Sequence, residues 1–153
     1  MNRENWEIWE SDVADDLDAS RVKASGRFFM FKADVKSDTM LIDCKYTSKS
    51  KYIISGPLWQ ELSMWSRNEM REPALVIRFD EVAYEAAVVK EQWYCENFDK
   101  DTSSCDTPNS VSKTINARCL IDKDELVFQI GGYRLVALDY QRFKRKVLEI
   151  ESR

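Results

Sequence analysis

The run Ala74-Leu75-Val76-Ile77-Arg78-Phe79 limits the possible folds more than any other stretch of this 153-residue chain. Its length, its branched side chains and its single charge predict a central, largely buried strand. The residues before it fit that reading. Pro57 is placed to be the first residue of a helix running to about residue 70, with Leu58, Leu62 and Trp65 on its buried stripe, and Pro73 stops it. A hydrophobic fraction of 44% excludes wholesale disorder, and four glycines and three prolines leave little for linkers, so one domain is expected.

Upstream, Trp6, Trp9, Val13 and Leu17 recur at three- and four-residue steps, which predicts an amphipathic helix over residues 5–18 with an acidic outer face. Residues 27–35 and 39–47 read as strands joined by a turn at Ser37-Asp38. Residues 47–56 read as a polar loop. The order is thus helix, strand, strand, helix, strand. Beyond it, residues 86–95 are expected as a strand and 99–112 as an exposed loop, and strands are expected near 115–121 and 126–130. Gly131-Gly132 marks a turn, 134–138 a last strand and 141–151 a closing helix.

The chain has no histidine, which removes Ser-His-Asp and Cys-His catalysis and histidine-based metal sites in one step. Carboxylates and lysines must carry any chemistry. Cys44, Cys95, Cys105 and Cys119 form no C-x-x-C pair and read as free thiols. No stretch approaches the roughly 20 apolar residues of a membrane span, and the start lacks a signal peptide's apolar core, so a cytoplasmic location is expected. The net charge is −4. The charge is uneven, however: residues 1–19 are acidic, whereas Arg21, Lys23, Arg27, Lys36, Lys49 and Lys51 form a basic set that could track a phosphate backbone. The tryptophans read as core or interface residues, four of them on expected helices.

The residues that carry chemistry are Asp34 and, nine positions on, Asp43-Cys44-Lys45. With a two-residue turn at Ser37-Asp38, paired residue numbers sum to about 75, so Asp34 faces Leu41 and lies diagonally from Asp43, about 7 to 8 Å away at the backbone. Because the strand period is two, Leu41, Asp43 and Lys45 share one face, and Met40, Ile42 and Cys44 share the other, with Cys44 pointing into the core. Two carboxylates in reach of one Mg²⁺, with the Cys44 carbonyl as a further ligand, suit phosphodiester cleavage: the cation neutralises the phosphate and lowers the pKa of a water. Lys45 can orient that water and stabilise developing charge. A lone Asp-x-Lys on a strand more often marks a solvated face; it is the matching Asp34 and the element order that turn the balance.

An Asp on one strand followed by an acidic-x-Lys tripeptide on the next resembles the PD-(D/E)XK nuclease superfamily. Within it, the chain is similar to archaeal-type and phage Holliday junction resolvases. The match runs through Glu10-Ser11-Asp12-Val13-Ala14, Ala24-Ser25-Gly26, Ala33-Asp34-Val35-Lys36, Leu41 to Thr47, Ile54-Ser55, Leu58-Trp59 and Pro73 to Phe79. It covers about the first eighty residues and, weakly, the last twenty. The resemblance implies an α/β (α+β) restriction-endonuclease-like fold, a mixed central sheet flanked by helices, with residues 80–124 as an insertion. It also implies a Mg²⁺-dependent, structure-selective DNA endonuclease for which Mn²⁺ substitutes, acting on four-way junctions as a homodimer. Position by position it implies that Glu10 supports metal binding, Ser25 sits near the scissile phosphate and Gln60 faces the site. The sequence departs from the family in having Asp43 where Glu is commoner and in its overall acidity. Two other readings stay open: a restriction-like or repair nuclease of the same superfamily, or an inactive module of the same fold that binds a partner.

Overall fold

The computed structural model describes residues 4–21, 33–102 and 106–153. Its elements in order are α1 (Asn5–Asp16), β1 (Ser20–Arg21), β2 (Val35–Lys36), β3 (Met40–Thr47), β4 (Lys51–Ser55), α2 (Gly56–Asn68), β5 (Glu72–Phe79) and β6 (Tyr84–Lys90). There follow α3 (Glu91–Phe98), β7 (Asn109–Ser110), β8 (Ser112–Asn116), α4 (Ala117–Lys123), β9 (Glu125–Ile130), β10 (Tyr133–Asp139) and α5 (Tyr140–Glu151). Eight strands form one sheet in the order β1-β2-β3-β5-β6-β10-β9-β7, and β4 pairs with β8 in a separate ribbon. β3 and β5 run parallel, as do β7 and β9, and the other neighbours are antiparallel. This mixed sheet flanked by helices is the architecture expected from the sequence.

The apolar run is buried as its composition demands: Ala74 to Ile77 and Phe79 are fully enclosed in β5, between β3 and β6. Alternation along the strands divides the core in two. Trp9 and Val13 of α1, Trp93 and Tyr94 of α3, and Tyr140, Phe143 and Val147 of α5 cover one face, against Ile42, Cys44 and Val76. Trp59 and Leu62 of α2 and Leu120 of α4, with Ile54 and Ile115 of the ribbon, cover the other, against Leu41, Leu75 and Ile77. Each such side chain contributes about 1.5–3 kcal/mol on burial. Ser55 opens α2 by accepting the Leu58 N–H at 3.3 Å, with Pro57 in the first turn.

Several expectations are corrected. Residues 47–56 are not all loop, because Tyr52 and Ile54 alternate inward and β4 pairs with β8, a segment far along the chain. The strand expected at 86–95 ends at Lys90; Trp93, Tyr94 and Phe98 recur at helical spacing and stack within α3 and onto Phe143 of α5. The strand expected at 115–121 occupies Ser112–Asn116, where the Asn116 side chain accepts the Arg118 N–H at 3.0 Å and starts α4. The loop expected at 99–112 holds the short β7. Pro73 lies inside β5 opposite Leu41 instead of only ending α2. Trp6 is 48% exposed, so the buried stripe of α1 is Trp9, Val13 and Leu17, while Trp59 joins the stripe of α2. The strand expected at 27–35 lies largely outside the described residues.

Candidate active site

The Asp34 and Asp43 carboxylates meet where β2 joins β3. The observed register pairs Val35 with Ile42 and Lys36 with Leu41, so paired numbers sum to 77. The expected sum of about 75, with its turn at Ser37-Asp38, is corrected: the turn centres on Asp38-Thr39, closed by the Ser37 N–H donating to the Met40 carbonyl at 3.0 Å. The Asp34 N–H also donates to the Ile42 carbonyl at 2.9 Å, so two consecutive residues oppose Ile42, as in a β-bulge. Asp34 thereby sits beside Asp43, and its Oδ2 accepts the Cys44 backbone N–H at 2.8 Å.

The faces of β3 alternate as expected. Cys44 is buried in the core under α1, where burial pushes its thiol well above the ordinary range, so only its carbonyl remains a candidate ligand. Lys45 emerges on the opposite side with its Nζ 3.3 Å from Asp43 Oδ2, and it keeps 29% side-chain exposure against 3% for Asp43. Burial pulls the Lys45 ammonium down, but the charges of Asp43, Tyr52 and Asp34 outweigh that and hold it above its ordinary value.

A buried and a half-buried carboxylate side by side resist both being ionised. Burial, then the Asp43 side chain, pushes the Asp34 carboxyl up to about 7, against the pull of the Cys44 N–H and Lys45. Burial raises Asp43 as well, opposed by the hydrogen bond with Asp34 and by Lys45. Asp43 Oδ2 is sealed from solvent yet receives no aligned hydrogen bond, the Lys45 ammonium standing close but out of line. A closely packed acid pair with an unsatisfied buried oxygen suits a divalent cation. Among the described residues no three His, Cys, Asp or Glu side chains converge on one point.

Glu10 belongs to the same neighbourhood. It is 8% exposed on α1, its Oε1 pairs with Arg21 at 3.1 Å, and its carboxyl is raised first by burial and then by the charge of Asp34. Gln60 stands exposed on α2, with no hydrogen bond to the acid pair. Ser25, Lys23 and Arg27 lie outside the described residues. Lys36 reaches Glu69 at 3.0 Å, while Lys49 and Lys51 are exposed without an ion pair among the described residues. A cleft of about 600 Å³ lies along β2 and its turn, lined by Arg21, Ala33, Lys36, Leu41 and Arg71, and also by the acidic Asp18, Asp38 and Glu69; Asp34, Asp43 and Lys45 do not line it.

Sequence reasoning missed Tyr52. It sits half-buried on the inner face of β4, its phenol raised by burial, lowered by Lys45 and raised by Asp43, so it faces the same charges. The alternation of Tyr52 and Ile54 was the available signal, hidden by the lysines and serines around them.

No family model matches the chain, and no curated protein matches it in sequence. Among solved structures it is similar to Hjc, a Holliday junction resolvase from Archaeoglobus fulgidus, with a TM-score of 0.44 and 18% identity over 53% of this chain and 74% of that one. No helix among the described residues is long and apolar enough to cross a membrane.

Proposed function

We propose that this chain is a Mg²⁺-dependent endonuclease that hydrolyses DNA phosphodiester bonds at branched sites, of the Holliday junction resolvase kind. One observation carries the reading: the half-buried Asp34 carboxylate just before β2, the buried Asp43 carboxylate on β3 and one ammonium group converge, with Asp34 tied to the backbone of the Asp43-Cys44-Lys45 tripeptide. Purely structural acids are seldom packed against each other at the cost of their ionisation, whereas a site that binds a cation and a phosphate requires it.

A bound Mg²⁺ would supply charge neutralisation at the phosphate and a water of lowered pKa. Asp34 and Asp43 would hold it, with the Cys44 carbonyl and Glu10 as further candidates. Lys45, beside Asp43 and partly exposed, donates hydrogen bonds to the attacking water or to the phosphate oxygen that gains charge. Arg21, Lys36, Lys49 and Lys51 contact the flanking backbone phosphates; Arg21 and Lys36 do so after exchanging Glu10 and Glu69 for phosphate. Symmetric cleavage of a four-way junction calls for two such sites in fixed relation, which a two-fold homodimer provides.

The test is a labelled synthetic four-way junction incubated with the purified chain and Mg²⁺ or Mn²⁺, beside linear duplex and flap substrates. Paired nicks at the branch are expected. Absence of cleavage with either ion removes the reading, and equal cutting of linear duplex removes the junction preference. Sedimentation of the protein and its complex measures the dimer.

A further inference from the structure

We propose that Glu151, the last residue of α5, is a positioning residue for the acid pair: it selects the register of the hairpin that carries Asp34 and Asp43. The role assigned to that pair is the one read above. A single oxygen, Glu151 Oε2, collects three donors from the turn: the Ser37 hydroxyl at 2.7 Å, the Thr39 N–H at 2.9 Å and the Thr39 hydroxyl at 2.5 Å. Ser37 Oγ in turn accepts the Met40 N–H at 3.1 Å. From the opposite side, Arg71 Nε donates to the Ser37 carbonyl at 2.6 Å and the Glu72 N–H to the Thr39 carbonyl at 2.9 Å.

The hairpin by itself does not choose between two pairings. A turn at Ser37-Asp38 and one at Asp38-Thr39 differ by a slip of two residues, which leaves every side chain on its own face, so the burial of Val35 and Ile42 suits both. The pairings differ in chemistry. In the observed one Asp34 lies beside Asp43; in the other it lies beside Leu41, a fully apolar neighbour. β2 is only two residues long, too short to fix the choice through its own ladder. The observed turn brings the Ser37 and Thr39 donors to one point, and there they find a carboxylate more than a hundred residues away in sequence. Hydrogen bonds to a charged acceptor are the strong ones, and three on one oxygen of a partly buried group weigh heavily between two near-equivalent turns.

The test is amide hydrogen exchange on the whole chain without DNA, comparing wild type, Glu151→Ala and Glu151→Gln. The Cys44 amide, which reports the Asp34 contact, is expected to exchange about tenfold faster or more in Glu151→Ala. Val127 and Val136 in β9 and β10 should keep wild-type rates. Glu151→Gln, which retains an acceptor oxygen, should fall between. An unchanged Cys44 rate overturns the proposal, and so does an equal acceleration in β9 and β10, which marks a general loss of stability. If Glu151→Ala does not fold, Glu151→Gln is judged by the same two criteria. On a four-way junction with Mg²⁺, the variants should lose about tenfold in kcat with KM within about twofold; a change in KM alone overturns positioning. A wild type that cuts nothing removes the functional reading, and the exchange result then decides the proposal by itself.

Discussion

The carboxylate of Asp34 accepts the backbone N–H of Cys44 at 2.8 Å, which ties the end of β2 to the middle of the tripeptide on β3. The bond holds one acid against the next without using the Asp43 side chain, whose Oδ2 is left without an aligned donor. Several outcomes follow from that arrangement.

If the chain is the proposed nuclease, Asp34→Asn and Asp43→Asn should each abolish cleavage, with a loss of about a hundredfold or more, because a bound Mg²⁺ would lose one of its two carboxylates. Neither should unfold the chain. An amide oxygen at position 34 still accepts the Cys44 N–H, and removing one of two crowded acids relieves their repulsion. Thermal melts beside a junction-cutting assay check both halves; a variant that melts as wild type and still cuts removes that residue from the site.

Lys45→Ala should lower kcat by about 10² to 10³ and lower Tm as well, since Asp43 then keeps its burial and loses its nearest cation. Lys45→Arg should restore stability better than rate, because a planar fork does not occupy the position of a compact ammonium. Steady-state kinetics and melts on the two variants separate these effects.

The acid pair should make stability depend on pH. The Asp34 carboxyl rises from the ordinary 3.8 to about 7 on folding, so the folded chain binds more protons than the unfolded chain between those values. The stability this group contributes is therefore present in full below pH 4, declines as pH climbs through 7, and is level above. Without divalent ions, Tm should fall across that window and fall less in Asp34→Asn. Adding Mn²⁺ at pH 8 should raise Tm of the wild type and leave Asp43→Asn unmoved.

Trp59→Ala should cost about 3–5 kcal/mol, since the indole fills the space between α2 and the sheet with no exposure. Chemical denaturation measures it. A cost under 1 kcal/mol would mean that α2 can collapse onto β5 without it.

What could be read from the sequence was what strand and helix periodicity encode locally. β3, α2, β5, β9, β10 and α5 stand close to where their patterns put them, and the alternation of Asp43, Cys44 and Lys45 followed from the pleat alone. The misreadings share a cause. β4 is a strand because β8 pairs with it, and residues 91–98 are a helix because Phe143 offers a surface for Trp93. The hairpin turn settled where Glu151 and Arg71 gather its polar groups. Each depends on a partner that is remote in sequence, and no local window contains it. Tyr52 was missed for the same reason.

The placement of β6 bears on any attempt to trim the protein. The residues of the candidate site all precede residue 80, which would suggest cutting away 80–124 to obtain a smaller protein. β6 comes from that stretch and runs between β5 and β10. A shortened chain would leave an unpaired edge of β5 open to solvent and sever the half of the molecule that carries Asp43 from the half that ends in α5. Such a deletion should yield aggregates instead of a smaller folded domain.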